Sequence, residues 1–176
     1  AAQKELAQSE ERFRLAMEAT NDGLWDWDVQ TGAAFCSPRY AGMLGYEPHD
    51  LPESFATWVS LVHPDDAAMV NRKLDYALRN GTEYAAEFRM KTKSGGWKWI
   101  LSRGIVVSWD AAKQPLRMVG TNADIAERKE TEQELKDTAQ ELRDAMHQID
   151  LNLTTLSALN DKIRNPLTIL TILSEE

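Results

Sequence analysis

The sequence lacks the features of a disulfide-stabilised, secreted or membrane-spanning chain. Its 176 residues include one cysteine, Cys36, so an intramolecular disulfide is excluded and the composition is compatible with a reducing compartment. No apolar run approaches the roughly 18 residues that a transmembrane helix requires, and the N-terminus lacks the basic-then-apolar order of a signal peptide. We therefore expect a cytoplasmic location. The absence of an initial Met and the helical apolar pattern just before residue 174 are typical of a piece of a longer protein.

A basic surface is also absent. The 28 Asp and Glu residues outnumber the 20 Lys and Arg residues, and the net charge of -8 is spread along the chain. This balance argues for solubility and against nucleic acid as a partner. With 43% apolar and 27% charged residues, the chain can bury the core of one full domain and has length left for further elements.

Local patterns predict a domain with a β-sheet over residues 21–126. Residues 1–20 are rich in helix formers with apolar residues at helical spacing, which predicts an amphipathic helix that packs on another surface. Alternating apolar and polar residues then predict two strands, followed by short helices, one longer helix that starts near Pro64, and three more strands. This order predicts an α+β fold with an antiparallel five-stranded sheet and short helices on one face.

A heptad repeat occupies residues 127–176, where proline and glycine are absent until Pro166. Apolar residues seven apart, interleaved with a second set, form an a/d pattern over about five heptads, which predicts one long coiled-coil helix. A homodimer is favoured over an intramolecular hairpin, because no second helix is predicted to pair with this one. Asn160 at an a position can fix the register of the helices. The predicted dimer seam consists of Leu135, Leu142, Met146, Ile149, Leu153, Leu156, Asn160 and Ile163.

Five segments of the sequence together resemble the PAS sensor family. They are GLWDWD, SPRYAGMLGYEP, HPDD, GGWKWILSRG and GTNADIAERK, and they begin at residues 23, 37, 63, 95 and 120. The resemblance implies a PAS fold, in which the sheet cups a small pocket that the short helices close, and a domain that senses a ligand, a cofactor or a partner. It also implies that Asp124, Ile125 and Arg128 belong to a signal-exit motif, which couples the sheet to the outgoing helix.

The pocket candidates are apolar residues of the predicted strands and helices, namely Trp27, Phe35, Met43, Leu44, Trp58, Phe88 and Met118. Haem requires an axial ligand, and only His63 lies near a predicted pocket helix, where it more readily caps that helix. The Asn-Cys-Arg-Phe-Leu-Gln type motif of flavin photoreceptors is absent, and Cys36 is interpreted as a small buried apolar residue. Haem and flavin are therefore both disfavoured, a metal site is not predicted, and the ligand stays unassigned.

Residues 158–170 resemble the phosphoacceptor helix of the histidine-kinase dimerisation domain, with the acceptor histidine replaced by Asp161. Lys162 stands where an acidic residue usually follows, and Arg164, Asn165 and Pro166 reproduce the end of the motif. Three interpretations remain open: a segment that takes no phosphate, which is favoured; an active kinase whose histidine was removed naturally or by design; and phosphorylation of the aspartate itself.

The sequence therefore predicts the sensory and dimerisation module of a histidine-kinase-like protein, with a response regulator as a possible partner. No Gly-rich phosphate loop and no kinase ATP-binding box occur, so the chain is not expected to be an enzyme by itself. Two alternatives stay open, a ligand-free PAS interaction module and a kinase that uses Asp161. A different output domain after the coiled coil, such as a nucleotide cyclase, is disfavoured by the match at residues 164–167.

Overall fold

The computed structural model describes the backbone of residues 2–174 and the side chains of residues 3–163. The chain divides into two units, one that ends at Lys129 and one that begins at Glu130. The helices and strands follow one another in the order α1 (Ala2–Thr20), β1 (Gly23–Asp28), β2 (Ala34–Cys36), α2 (Pro38–Met43), α3 (Phe55–Leu61), α4 (Pro64–Asn80), β3 (Tyr84–Lys91), β4 (Trp97–Trp109), β5 (Pro115–Asp124) and α5 (Ala126–Ser174).

The first unit is built on a five-stranded sheet with the strand order β2-β1-β5-β4-β3. All neighbouring strands are antiparallel, and the last strand, β5, lies between β1 and β4. This arrangement confirms the predicted fold class. The central position of β5 brings residues from the start and the end of the unit together, as in the pairing of Trp25 with Gly120.

The hydrophobic core lies on one face of this sheet, under α2, α3 and α4. Strand β3 shows why: its burial alternates strictly, with Phe88 and Met90 fully buried and Arg89 between them only half-buried. A period of two places successive side chains on opposite faces of a strand, so one face packs on helices and the other meets solvent. Val70 and Leu74 of α4 bury the matching apolar stripe of that helix.

Both ends of α4 are determined by local chemistry. The Nδ1 atom of His63 accepts a hydrogen bond of 3.2 Å from the backbone N–H of Asp65, which confirms that this imidazole caps the helix. Pro64 occupies the first turn, where its missing N–H is not needed. Gly81 ends the helix with φ of 63°, in the left-handed region that favours glycine.

Two glycines make room for the indole of Trp25. A Cβ atom at Gly104 would lie 2.3 Å from the Trp25 ring, and one at Gly120 would lie 2.2 Å from it and 2.0 Å from the backbone oxygen of Arg103. Side chains at these two positions would displace the ring, so the glycines allow Trp25 to lie flat against β4 and β5.

The two terminal helices differ from the rest by their exposed apolar side chains. In α1, Leu6 and Phe13 are 60% and 55% exposed, so the predicted packing surface for this helix is not found among the described residues. In the 49-residue α5, the large apolar side chains described up to Ile163 are also exposed. No helix within the described part of the chain is both long and apolar enough to cross a bilayer.

Candidate functional site

A cavity of about 70 Å³ lies between the sheet and α2, α3 and α4. Its floor is formed by strand residues and its walls by helix residues, while the loop between α2 and α3 covers one side. The lining residues are mostly apolar or aromatic: Trp25, Trp27, Ala34, Cys36, Tyr40, Ala41, Pro48, Leu51, Pro52, Glu53, Ser54, Phe55, Thr57, Trp58, Leu61, Leu74, Tyr84 and Ser102.

Stacked aromatic rings form the wall of the cavity beside α3. The rings of Trp27 and Phe55 stack with centroids 4.2 Å apart and an interplanar angle of 10°. Trp58 lies 5.2 Å from Phe55 on one side and meets the buried Phe88 edge-on at 5.9 Å on the other. Such pairs contribute beyond their area of burial and restrict ring rotation, so this wall has a defined shape.

Two buried polar atoms at the cavity have no hydrogen-bond partner among the described residues. They are the indole Nε1 of Trp27 and the hydroxyl oxygen of Tyr84. Both side chains line the cavity, with exposures of only 8% and 2%. Leaving a buried polar group unsatisfied costs about 1–3 kcal/mol, so a hydrogen-bond partner for either atom would recover a cost of this size.

A neighbouring polar network is already satisfied. The Nε1–H of Trp25 donates to Oδ1 of the fully buried Asn122 at 3.1 Å. Asn122 also interacts with the Tyr40 hydroxyl, although burial dominates and raises the pKa of that group. At the N-terminus of α3, the hydroxyls of the capping residue Ser54 and of Thr57 form a hydrogen bond of 2.9 Å. These polar groups already form hydrogen bonds with one another, so they do not require a ligand as a partner.

The predicted pocket residues fall into three groups. Trp27 and Trp58 line the cavity. Phe35 lies outside it, because it is 49% exposed on the opposite side of β2. The remaining four are core residues beside the cavity rather than part of its lining: Met43, Leu44, Phe88 and Met118.

Cys36 and Tyr84 are lining residues that the sequence interpretation did not assign to the pocket. Burial, with a smaller effect from Glu53, raises the pKa of the Cys36 thiol to about 11, so the thiol is protonated at neutral pH. Burial also raises the pKa of the Tyr84 hydroxyl. Low polarity at the cavity thus disfavours negative charge.

Histidine does not occur among the described residues that line the cavity. His63 caps α4 and its ring contacts Trp97 at 4.3 Å, while His49 and His147 are exposed. The cavity is also well below the roughly 300–1,000 Å³ of sites for drug-sized ligands. The residues present therefore do not fit haem with an axial imidazole, and flavin would require the walls to move. Among the described side chains, no group of three or more metal-ligating residues is assembled.

The predicted exit residues lie where the sheet passes into α5. The carboxylate of Asp124 accepts hydrogen bonds from the backbone N–H of Ala126 at 3.0 Å and from Lys98 at 2.8 Å, so it both caps α5 and contacts β4. Although burial opposes the effect, these contacts hold the pKa of Asp124 below its usual value. Ile125 is buried, and its N–H donates to the carbonyl of Trp99 at 3.1 Å.

Ion pairs attach the first turn of α5 to β3. Glu87 accepts from Arg128 at 2.6 Å and from Lys129 at 2.7 Å. These two hydrogen bonds lower the pKa of Glu87 to about 2. The Lys129 ammonium also lies 5.1 Å from the ring centre of Trp99, within cation–π distance.

The same tryptophan connects to α4 through Arg89. The Arg89 guanidinium lies 5.5 Å from the centre of the Trp99 ring and forms a bidentate pair with Asp66 at 2.8 and 2.9 Å. The hydrogen bonds from Arg89 lower the pKa of Asp66. A continuous set of contacts therefore runs from the start of α4, through β3 and β4, to Lys129, and sequence reasoning did not identify Asp66, Arg89 or Trp99 in this role.

The apolar seam residues described in α5 are all exposed to solvent in the isolated chain. Leu135 is 70% exposed and Ile163 is 61% exposed, and the intervening Leu142, Met146, Ile149, Leu153 and Leu156 are 58–62% exposed. Asp161 and Lys162 are exposed as well. The side chains of Arg164, Asn165 and Pro166 lie outside the described residues.

Comparison with known proteins reveals a shared family. A family model described as a PAS fold matches residues 33–122. The solved structure of a sensory box histidine kinase/response regulator from Burkholderia thailandensis is 41% identical, with a TM-score of 0.67 over 75% of this chain and 98% of that chain. The similarity thus extends over nearly all of that solved chain.

Two curated proteins show the same similarity at lower identity. Sensor protein FixL of Bradyrhizobium diazoefficiens is 30% identical over 79% of this chain and 27% of its own length. The non-motile and phage-resistance protein of Caulobacter vibrioides is 28% identical over 73% of this chain and 15% of its own length. The chain therefore spans about a quarter or less of the curated relatives that it matches first.

Proposed function

Because the chain belongs to the PAS fold family, we propose that it is the sensory and dimerisation module of a histidine-kinase-like signal-transduction protein. In this proposal the cavity receives a small ligand, and α5 carries the resulting change to an output domain. One observation carries the proposal: a cavity with two unsatisfied buried polar atoms and a helix with an exposed apolar heptad pattern occur in the same chain.

The contacts around Trp99 offer a physical route for the signal. Leu74 of α4 lines the cavity, and Asp66 in the first turn of the same helix holds Arg89. Arg89 and Lys129 both contact Trp99. A ligand that shifts α4 therefore changes the support of Lys129 at the start of α5. Such coupling requires two arrangements of similar free energy, between which the ligand discriminates.

Exposed apolar residues of α5 support a homodimer through the predicted seam. Fully burying one Leu or Ile side chain stabilises an interface by about 1.5–3 kcal/mol, and the seam repeats this gain along several heptads. Asn160 lies in the same seam, where a polar residue favours one register over others at a cost in stability. In the proposed mechanism, rotation or a register shift along this seam is the output of the module.

The degenerate phosphoacceptor position supports a role without catalysis by this chain. An aspartyl phosphate forms in a pocket with a bound divalent cation, whereas Asp161 is exposed on a helix beside Lys162. We therefore propose that this segment mediates dimerisation and does not take phosphate, with a response regulator as a partner of the parent protein and the cytoplasm as its compartment. The rival hypothesis, in which Asp161 accepts phosphate, predicts that the chain incorporates phosphate when a kinase catalytic domain is supplied.

An interaction module without a ligand is the second candidate function. The outer face of the sheet favours it, because Phe35, Ile105 and Val107 are 46–52% exposed there. Apolar side chains grouped on one sheet face can bind another protein surface. This candidate does not account for the unsatisfied atoms of Trp27 and Tyr84.

Native mass spectrometry of the purified chain, followed by a denaturing spectrum of the same sample, tests the proposal. We expect a dimer that carries extra mass, which is lost on denaturation. A dimer of bare chains would favour the interaction module, and a monomer at micromolar concentration would contradict dimerisation through α5.

A further inference from the structure

On the basis of the proposed function, we propose that the cavity binds a compact, uncharged molecule with one hydrogen-bond acceptor, of which a short-chain ketone is the simplest example. Three features of the site define this chemical class of ligand: the size of the cavity, the charge of its lining and the two polar atoms that have no partner among the described residues.

The volume of the cavity limits the size of the ligand. An apolar cavity of about 150 Å³ in another protein holds benzene, whereas this cavity has about 70 Å³. By the same ratio of volume to atoms, it has space for roughly three non-hydrogen atoms without movement of the walls, so a ketone of four or five such atoms requires the loop side of the cavity to move outward. The stacked rings of Trp27 and Phe55 make that part of the wall resistant to expansion.

The lining excludes a charged ligand. Glu53 is the single Asp, Glu, Lys, Arg or His side chain among the described lining residues, and it is exposed at the surface. An anion would lose its hydration without gaining a cationic partner, at a cost of several kcal/mol. The raised pKa of the Cys36 thiol has the same physical origin. A cation is disfavoured too. The carboxylate of Glu53 lies at the solvent-exposed side, so the buried part of the described lining offers a cation no anionic partner.

The two unpartnered atoms determine the polarity of the ligand. The indole Nε1–H of Trp27 is a donor only, so it requires an acceptor. The hydroxyl of Tyr84 can donate or accept, and it can therefore serve the same acceptor. A carbonyl oxygen has two lone pairs and can therefore accept one hydrogen bond from each donor, while the alkyl groups of a ketone would contact the aromatic wall.

The loop between α2 and α3 provides access. Its lining residues Pro48, Pro52 and Glu53 are exposed, whereas the strand residues behind them are largely buried. A neutral molecule can pass between these side chains without separating an ion pair of the cavity wall.

Three probes of equal size and different polarity test the inference on the full chain. They are 2-butanone, propanoate and 2-methyl-1-butene, which present a neutral acceptor, an anion and no polar atom. Titrations are followed by the indole N–H resonance of Trp27, assigned by its loss in Trp27→Phe. The Tyr84→Phe variant removes one donor and retains the ring, and Tyr76→Phe, at an exposed tyrosine, serves as the control.

We expect saturable binding of 2-butanone with a shift of the Trp27 indole resonance, and at least about tenfold weaker binding of the other two probes. Tyr84→Phe should weaken 2-butanone binding about tenfold, whereas Tyr76→Phe should leave it unchanged. Equal binding of the alkene, tighter binding of propanoate, or no binding of 2-butanone would overturn the inference. If the chain is nevertheless a dimer with a different releasable ligand, the proposed function survives, whereas a monomeric chain would contradict that function independently.

Discussion

The sheet unit and the α5 helix contain similar kinds of apolar residue but place them in opposite environments. In the sheet unit, Phe88, Met90 and Ile100 are completely buried by residues of the same chain. In α5, Leu135 and Ile149 are 70% and 58% exposed. The sheet unit can thus draw its stability from its own core, whereas α5 requires another surface to bury its seam. This difference fits a sensor that folds alone and a transmitter whose packing remains adjustable.

Disrupting the seam should produce the largest difference between the two regions, because it should abolish dimerisation and leave the sheet unit folded. The double substitution Ile149→Lys and Leu156→Lys removes two side chains whose burial contributes about 1.5–3 kcal/mol each and places charges in the interface. We expect sedimentation velocity to show a monomer, with the near-ultraviolet circular dichroism of the tryptophan-rich sheet unit unchanged.

The matched control for the seam adds the same two charges away from it. Gln148→Lys and Thr155→Lys modify exposed c positions of the heptads, so this variant should remain a dimer. A dimer that survives in the seam variant would assign the interface to α1 or the sheet.

The converse experiment removes a side chain from the sheet core. Phe88→Ala deletes a fully buried ring that contacts Trp58, and should destabilise the sheet unit by about 3–5 kcal/mol in urea unfolding followed by tryptophan fluorescence. Tyr76→Ala, at a side chain that is 63% exposed, should change the free energy of unfolding by less than about 0.5 kcal/mol. Similar effects of the two substitutions would contradict the described core.

The close contact of Trp25 predicts a smaller effect. In Gly120→Ala the new methyl group would collide with the indole and with a backbone oxygen, so we expect a loss of about 1–3 kcal/mol in the free energy of unfolding. Gly42→Ala in α2 meets open space and should be neutral or slightly stabilising. Equal stability of both variants would show that Trp25 does not lie against β5.

The ion pairs at the junction predict a pH dependence of about 1 kcal/mol, a value discounted for solvent exposure. The pKa of Glu87 falls from an unperturbed 4.5 to about 2 in the folded chain, so its contribution is present above pH 4.5 and is lost as the pH falls toward 2. Wild type should therefore exceed Glu87→Gln in stability at pH 6, and the difference should shrink at pH 3.

Chemical denaturation at several pH values measures this difference. Glu83→Gln, which changes an exposed carboxylate just before β3, provides the comparison. A difference between wild type and Glu87→Gln that stays constant from pH 6 to pH 3 would argue against the lowered pKa.

Sequence patterns predicted the sheet well because strand periodicity is a local property. The alternation from Tyr84 to Lys91 gave the strand and its buried face, and both are confirmed. In a three-residue strand, by contrast, the local sequence does not determine which side chains face the core. Pairing of Trp25 with Cys36 places the Cys36 side chain toward the cavity and Phe35 on the opposite face, and only the pairing determines this.

The hydrogen bonds and ion pairs of the site could not be predicted from the sequence. A missing hydrogen bond at Trp27 or Tyr84 depends on every neighbour in the folded chain. The bidentate pair of Asp66 and Arg89 joins residues 23 positions apart on a helix and a strand, so no spacing rule indicates it. The domain boundaries and the dimer seam stay predictions, and the seam can be tested only on the chain in its oligomeric state.

Hydrogen exchange of the wild-type chain with and without saturating 2-butanone tests most directly whether cavity occupancy is coupled to the helix. We expect slower amide exchange in residues 48–58 around the cavity, together with changed exchange in residues 126–137 at the start of α5. Protection restricted to the cavity residues, with α5 unchanged, would contradict the coupling of sensor and transmitter.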